Sequence, residues 1–308
     1  MNDRLQKFLF QHAAARGEFV ELSEVWAQIQ SHHRYPAPVT RLLGEMIGAA
    51  VLLSGNIKFD GSLVMQIQGD GPVRLLVVEC DSAMKIRATA KLDETVPLTG
   101  NETFTDLINA HGKGRFVITL DPHEKAPGQR PYQGIVSLAG DAISQVIENY
   151  MKQSEQLDTR IWLAADNHVI RGLLLQRMPP PTGPDGLSEK NGDEEKAWEN
   201  LLALALTLRN KELLDTDIDT LRHRLFWEED LFAFDPLHPV FNCSCSREKV
   251  ASMLKMLGKK EVEDALKEQG NLAISCDFCG QTYAFDPVDC AQLFAENSSG
   301  EPPPSSLH

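Results

Sequence analysis

Apolar and polar positions along this chain follow two rhythms, and the switches between them mark out its parts. A period near 3.6 runs through residues 38–54, where Leu42, Leu43, Met46, Ile47, Ala50 and Val51 predict a helix opened by Pro38. Gly44, Gly48 and Ala49 occupy much of its remaining surface, so neighbours can approach on several sides and the helix is expected to be central. A shorter helix is predicted over 23–30. Stretches of strand length follow at 62–68, 73–80 and 85–90, with Gly69-Asp70-Gly71-Pro72 as the turn between the first two, which predicts a meander. A short helix near 104–110 leads to strands at 115–120 and 132–138. Asp141 is placed to cap a helix with the stripe Ile143, Val146, Ile147 and Tyr150, and strands at 160–164 and 169–176 close the unit. Runs of strands with interspersed helices predict an α+β domain over residues 1–178.

Pro179-Pro-Pro181-Thr-Gly-Pro184-Asp-Gly186 stops any regular element and marks a boundary. Residues 179–240 then read as a boundary followed by an acidic helical segment. Asp193 can cap a helix carrying Trp198, Leu201, Leu202, Ala205 and Leu208; Thr216 or Asp217 can cap one carrying Ile218, Leu221 and Leu225. Two helices this short cannot bury their own apolar stripes, so Trp198, Leu201, Leu202, Ile218, Leu221 and Leu225 are expected to lie against a neighbouring domain, with Trp198 and Trp227 reporting any release. A further small unit is predicted over 241–295. In it Ser246 caps a helix with Val250, Met253, Leu254 and Leu257 that stops at Gly258, and a second helix with Val262, Ala265 and Leu266 stops at Gly270. Residues 296–308, rich in Ser and Pro, are expected to be disordered.

The chemistry of the chain is concentrated in that small unit. Cys243-Ser-Cys245 and Cys276-Asp-Phe-Cys279-Gly280 supply four thiols in two close pairs, a complete tetrahedral ligand set for a structural zinc ion with no position left for a catalytic water. In an extended segment Cys243 and Cys245 point the same way, while Cys276 and Cys279 suit a tight knuckle in which Gly280 takes a positive φ. Three other readings of these cysteines stand beside it. Buried apolar thiols have no reason to pair twice at ligand spacing. Structural disulfides belong in an oxidising compartment. A thioredoxin-like motif would sit where a strand runs into a helix, whereas this CxxC lies between two strand-like stretches, 271–275 and 281–285.

Composition narrows the classes. With 308 residues, two or three units are the default, and a 42% hydrophobic content supports a real core. A net charge of −14 speaks against a nucleic-acid partner. The first residues lack the apolar run of a signal peptide, and the longest apolar runs fall short of the roughly 20 residues that span a membrane, so a reducing cytoplasm and no membrane partner are expected. Gly69-Asp70-Gly71 and His111-Gly112-Lys113-Gly114 look like phosphate-loop fragments, but neither leads from a strand into a helix. The nine histidines are scattered and no nucleophile, base and orienting acid assemble by spacing, so no catalytic centre is expected.

Several stretches together carry a resemblance: Lys58-Phe59-Asp60-Gly61, Gln68-Gly69-Asp70-Gly71-Pro72, Tyr132-Gln133-Gly134, Ser154-Glu155-Gln156-Leu157, Leu174-Leu175-Gln176, Glu228-Glu229, Cys243-Ser-Cys245-Ser246-Arg247-Glu248 and Cys276-Asp-Phe-Cys279-Gly280. Across nearly its whole length the chain closely resembles the redox-regulated heat-shock protein thirty-three family of 33 kDa chaperonins, for which the CxC with a distant CxxCG is highly specific. The resemblance implies an N-terminal α+β chaperone domain that binds substrate, a metastable helical linker and a small C-terminal zinc-binding redox-switch domain. It implies an ATP-independent holdase for unfolded or oxidatively damaged clients, not an enzyme, inactive while reduced and zinc-bound. On oxidation the implied disulfides are Cys243–Cys245 and Cys276–Cys279, with zinc released, the linker unfolded and a homodimer formed. A CxC disulfide closes a tight ring and is expected to be the more readily reduced of the two. Arg247 and Lys249 are expected to offset part of the surplus negative charge of four thiolates. Cys80 and Cys290 fall outside the motif; Cys80 reads as a buried strand residue, and Cys290 follows the knuckle closely enough to compete as a disulfide partner. Two competing functions remain: an interaction or regulatory protein with a purely structural zinc module, and a thiol-disulfide oxidoreductase.

Overall fold

The helix expected over residues 38–54 forms, and two β-sheets close on it from opposite sides. A computed structural model describes residues 3–124, 130–178 and 192–295 of the chain. The chain divides into two units, Met1–Asn242 and Cys243–His308. The first runs β1 (Arg4–Phe10), β2 (Ala15–Leu22), α1 (Glu24–His32), α2 (Ala37–Ser54), β3 (Gly61–Gln68), β4 (Val73–Asp81), β5 (Lys85–Leu92), α3 (Phe104–Ile108), β6 (Arg115–Pro122), β7 (Tyr132–Val136), α4 (Ile143–Gln153), β8 (Thr159–Ala165) and β9 (Ile170–Arg177). It continues through α5 (Gly192–Ala205), α6 (Asn210–Asp215), α7 (Ile218–Phe226), β10 (Leu231–Ala233) and β11 (Val240–Phe241). Mixed helix and sheet in segregated layers is the α+β class expected from the sequence.

One sheet has the order β10-β1-β2-β9-β8 and the other β11-β5-β4-β3-β6-β7, antiparallel throughout except for the β11–β5 pair. Between them α2 packs on β2, β8 and β9 on one side and on β3, β4 and β5 on the other. The close approach needs glycine: a Cβ on Gly44 would lie 2.5 Å from Ala165 Cβ, and one on Gly48 would lie 3.0 Å from Ile170 Cγ2. By length and composition alone α2 could cross a membrane, but 78% of that stretch is buried inside the protein, which accounts for its apolar character.

The five-stranded sheet is covered on its second face by α5, α6 and α7. Trp198, Leu201, Leu213, Ile218, Leu221, Leu225 and Phe226 pack there with Phe8, Phe10, Phe19, Leu173 and Leu175 from the strands. This double burial explains why β9 is buried at every position but its last, and why Leu173, Leu174 and Leu175 follow one another without alternation. Of the six linker residues expected to be buried, Leu202 is only partly so. Polar groups pin the layer as well. The Trp198 indole donates to Asp158 at 3.0 Å, Arg4 pairs with Asp219 at 2.7 Å, and the buried Arg171 pairs with Glu21 at 2.6 Å while donating to the carbonyls of Leu213 and Leu214.

Several sequence expectations need correction. Strands β1 and β2 were not foreseen, nor were α6, the short edge strands β10 and β11, or a C-terminal helix described below. Asp141 does not cap α4: the N-cap is Ala142, with no side-chain cap bond. Asp193 lies inside the first turn of α5 instead of before it, whereas Asp217 does cap α7 through the backbone N–H groups of Asp219 and Thr220. At α1 the cap comes from far away in sequence, because the Asp3 carboxylate accepts from the N–H groups of Ser23, Glu24 and Val25 at 2.6, 3.0 and 2.6 Å. Trp227 is 68% exposed and cannot report release of the helical layer. The Pro179–Pro184 run and the tail at 296–308 lie outside the described residues.

The second unit contains α8 (Arg247–Leu257), α9 (Lys259–Gln269), β12 (Leu272–Ser275), β13 (Thr282–Phe285) and α10 (Pro287–Ala295). Ser246 caps α8 by accepting from Lys249 N–H, and Gly258 and Gly270 end the two helices as expected. The core of this unit is small: Leu254, Val262, Leu272, Phe285 and Cys290 are buried, with partly buried side chains around them. A core of this size rarely stabilises a fold alone, and natural modules of such length commonly add a metal or disulfides.

Candidate metal centre

Two local structures bring the four sequence-identified cysteines together. Cys243 and Cys245 lie on the stretch between β11 and α8, with one residue between them. Cys276 and Cys279 occupy the turn of the β12–β13 hairpin, where Cys276 N–H donates to Gln281 O at 2.9 Å and Gly280 N–H donates to Cys276 O at 2.8 Å. Gly280 has φ of 69°, so the positive φ expected of the knuckle is present. A side chain here would strain the turn that aims both sulfurs to one side.

The Cys243 and Cys276 sulfurs are 3.6 Å apart, those of Cys245 and Cys279 are 3.4 Å apart, and all four lie within 4.8 Å of one another. A tetrahedron of sulfurs about 2.3 Å from a central zinc has edges of about 3.8 Å, so sulfurs at this spacing match the donor set such an ion takes. Among the described residues it is the one group of three or more His, Cys, Asp or Glu side chains with ligand atoms this close. All four residues are partly exposed, so reagents in solution can reach them.

The sulfurs differ electrostatically. Burial pushes the Cys279 thiol up to about 12, with the neighbouring thiols adding to the rise. Burial acts in the same sense at Cys245, but hydrogen bonds, first that from the Tyr283 hydroxyl at 3.1 Å, outweigh it and bring this thiol down to about 7. Sequence reasoning passed over Tyr283, although its position three residues beyond Gly280 on a strand was a usable signal. Arg247, expected to offset thiolate charge, is engaged elsewhere: it donates to Ala284 O at 2.5 Å, pairs with Asp289 at 2.8 Å and stacks 4.2 Å from the centre of the Phe285 ring.

The remaining two cysteines stay apart from the cluster. Cys80 is fully buried on β4, where burial raises its thiol to about 12. Cys290 on α10 is 2% exposed in the core of the second unit, and burial raises its thiol as well, so in the folded unit it is shielded from disulfide exchange. The two glycine-rich turns that resembled phosphate loops meet each other. The Asp70 carboxylate accepts from the backbone N–H of His111 at 3.2 Å and of Lys113 at 2.7 Å, taking the place an anion would need.

The family model described as Hsp33 protein matches residues 3–286. The 33 kDa chaperonin of Ectopseudomonas mendocina is 45% identical over 309 residues, covering 100% of both chains. That of Methylobacillus flagellatus is 43% identical over 295 residues, covering 96% of this chain and 95% of the relative. Among solved structures, the 33 kDa chaperonin of Thermotoga maritima superposes with a TM-score of 0.76 at 20% identity, over 96% of this chain and 99% of that one, a likeness of fold. By sequence, over nearly its full length, this chain belongs to the Hsp33 family of chaperones.

Proposed function

We propose that this protein is an ATP-independent holdase switched by oxidation of its cysteine cluster. The observation that carries the reading is the pairing of four sulfurs within 4.8 Å with a unit whose own core is small. Cys243, Cys245, Cys276 and Cys279 hold zinc in the reduced state. Bound zinc would favour the thiolate forms, and through it the four side chains would join the segment at 243–245 to the hairpin tip; structural zinc contributes about 10–16 kcal/mol of apparent binding energy in small modules, as much as the stability of a whole domain.

A peroxide-class oxidant takes two electrons from each cysteine pair. Cys243–Cys245 and Cys276–Cys279 disulfides form, two peroxides are reduced to water with uptake of four protons, and the sulfurs no longer hold the ion. The small unit then loses its main support, and residues 179–240, a linker reaching from the boundary through α5–α7, lose the folded unit that follows them. The sheet face bearing Phe8, Phe10, Phe19, Leu173 and Leu175 and the apolar stripes of the linker become available to unfolded clients. In this reading residues 1–178 form the client-binding domain, the active form is a homodimer, the setting is the reducing cytoplasm, and neither nucleic acid nor membrane is a partner.

Peroxide treatment of the zinc-loaded protein, followed by an aggregation assay with a heat-unfolded client, tests the reading. Suppression of aggregation that appears with zinc release and reverses with reductant is expected. Zinc release without suppression would sink it, and metal retained under oxidants that convert free thiols would favour a purely structural module.

A further inference from the structure

We propose that Tyr283 is a positioning residue for the metal centre: by donating its hydroxyl hydrogen bond to Cys245 Sγ, it tightens the hold on the ion and slows attack on that sulfur. The inference rests on the proposed zinc site. Tyr283 and Cys245 are far apart in sequence, and the hydrogen bond spans 3.1 Å between the hairpin and the stretch that precedes α8. It is therefore a protein-made link between the two ligand-bearing segments.

The frame that aims the hydroxyl is rigid. Tyr283 sits on β13 opposite Ile274 of β12, and the hairpin is locked beside the knuckle by the Ser275–Thr282 hydroxyl contact at 2.8 Å. Its ring packs against the unit's small core, so the hydroxyl is presented from a fixed base. Partners of this kind orient metal ligands, and their loss commonly lowers metal affinity about 10- to 100-fold. A thiolate that accepts a hydrogen bond also has part of its lone-pair density engaged, which makes it a poorer nucleophile toward peroxides and alkylating agents.

Tyr283→Phe keeps the ring and removes only the donor. In the full-length protein this variant should bind zinc about 10-fold more weakly in competition with a chromophoric chelator. The sulfur-to-metal charge-transfer band of the cobalt-substituted form should shift. In the zinc-loaded protein, alkylation should speed up severalfold at Cys245 and little at Cys276 or Cys279, as read by mass spectrometry of the labelled peptides. Equal acceleration at all four sulfurs would mean general loosening of the unit and would overturn the proposal, as would unchanged affinity, spectrum and rates. None of these readouts involves a client. A parent protein that releases zinc on oxidation without suppressing aggregation would defeat the chaperone switch and leave the Tyr283 result standing.

Discussion

Replacing Leu201 and Leu221 with asparagine should free the helical layer while leaving the cysteine cluster untouched. Both side chains are fully buried, one on α5 and one on α7, in the cluster that contains Phe8, Phe19 and Phe226. Truncating a buried leucine costs about 2–5 kcal/mol, and burying an amide without partners adds to that. Because α5 and α7 pack together, the two changes are coupled and need not add. Even one full effect is a large share of the 5–15 kcal/mol that typically stabilises a domain. The sheet beneath is also held by α2 on its other face, so the layer should detach before the domain unfolds. Hydrogen exchange over residues 192–226 and a red shift of Trp198 emission would register detachment. The double variant should then suppress aggregation of a heat-unfolded client under reducing conditions with zinc still bound. A detached layer with activity no higher than the reduced parent would show that the layer does not gate the client surface.

Other outcomes follow from single contacts. Arg171→Ala leaves Glu21 buried without its partner and frees the Leu213 and Leu214 carbonyls, so urea unfolding should show a loss of about 3–5 kcal/mol with early exchange in α6. Cys276→Ser should lower zinc content and the melting temperature of the small unit, whereas Cys80→Ser should leave metal content unchanged; stoichiometric zinc at parental affinity in Cys276→Ser would refute the four-sulfur set. Glu18, fully buried, is raised by burial from 4.5 to about 7, with the Asn56 amide bond opposing the rise. Because the pKa is raised on folding, its contribution to stability is complete below the unfolded value and is lost as pH climbs through the folded one. Between pH 4.5 and 7.5 it should account for a decline of about 3 kcal/mol, and Glu18→Gln should flatten the urea-derived pH profile by that amount.

How far the sequence foretold these features depended on whether their causes were local. Helix α2 was legible because its apolar stripe and its glycines report on the same residues that pack. The caps at Ser246 and Asp217 were legible for the same reason, and the cysteine set was readable because both pairs have ligand spacing within a few residues. Strand β2 was missed because Glu18 and Glu21 interrupt its apolar pattern, and each is buried through partners distant in sequence, Asn56 and Arg171. The cap on α1 is likewise supplied from elsewhere, by Asp3. β10 and β11 are three and two residues long, too short for a period, and exist because the edges of β1 and β5 offer them hydrogen bonds. Arg247 could be seen as a charge near the cysteines, but not that Asp289 and Phe285 would claim it.

Oxidation of one cluster of four thiols should convert the resting protein into an active chaperone. Zinc release, free thiols and aggregation suppression followed on one sample during titration with peroxide measure that conversion directly. The chain has six cysteines, of which Cys80 and Cys290 are buried. The four clustered thiols should be lost as two disulfides, zinc should leave with them, and suppression should rise in step and fall again with reductant. Full loss of the four thiols and of zinc, with aggregation of the client unchanged, would contradict it.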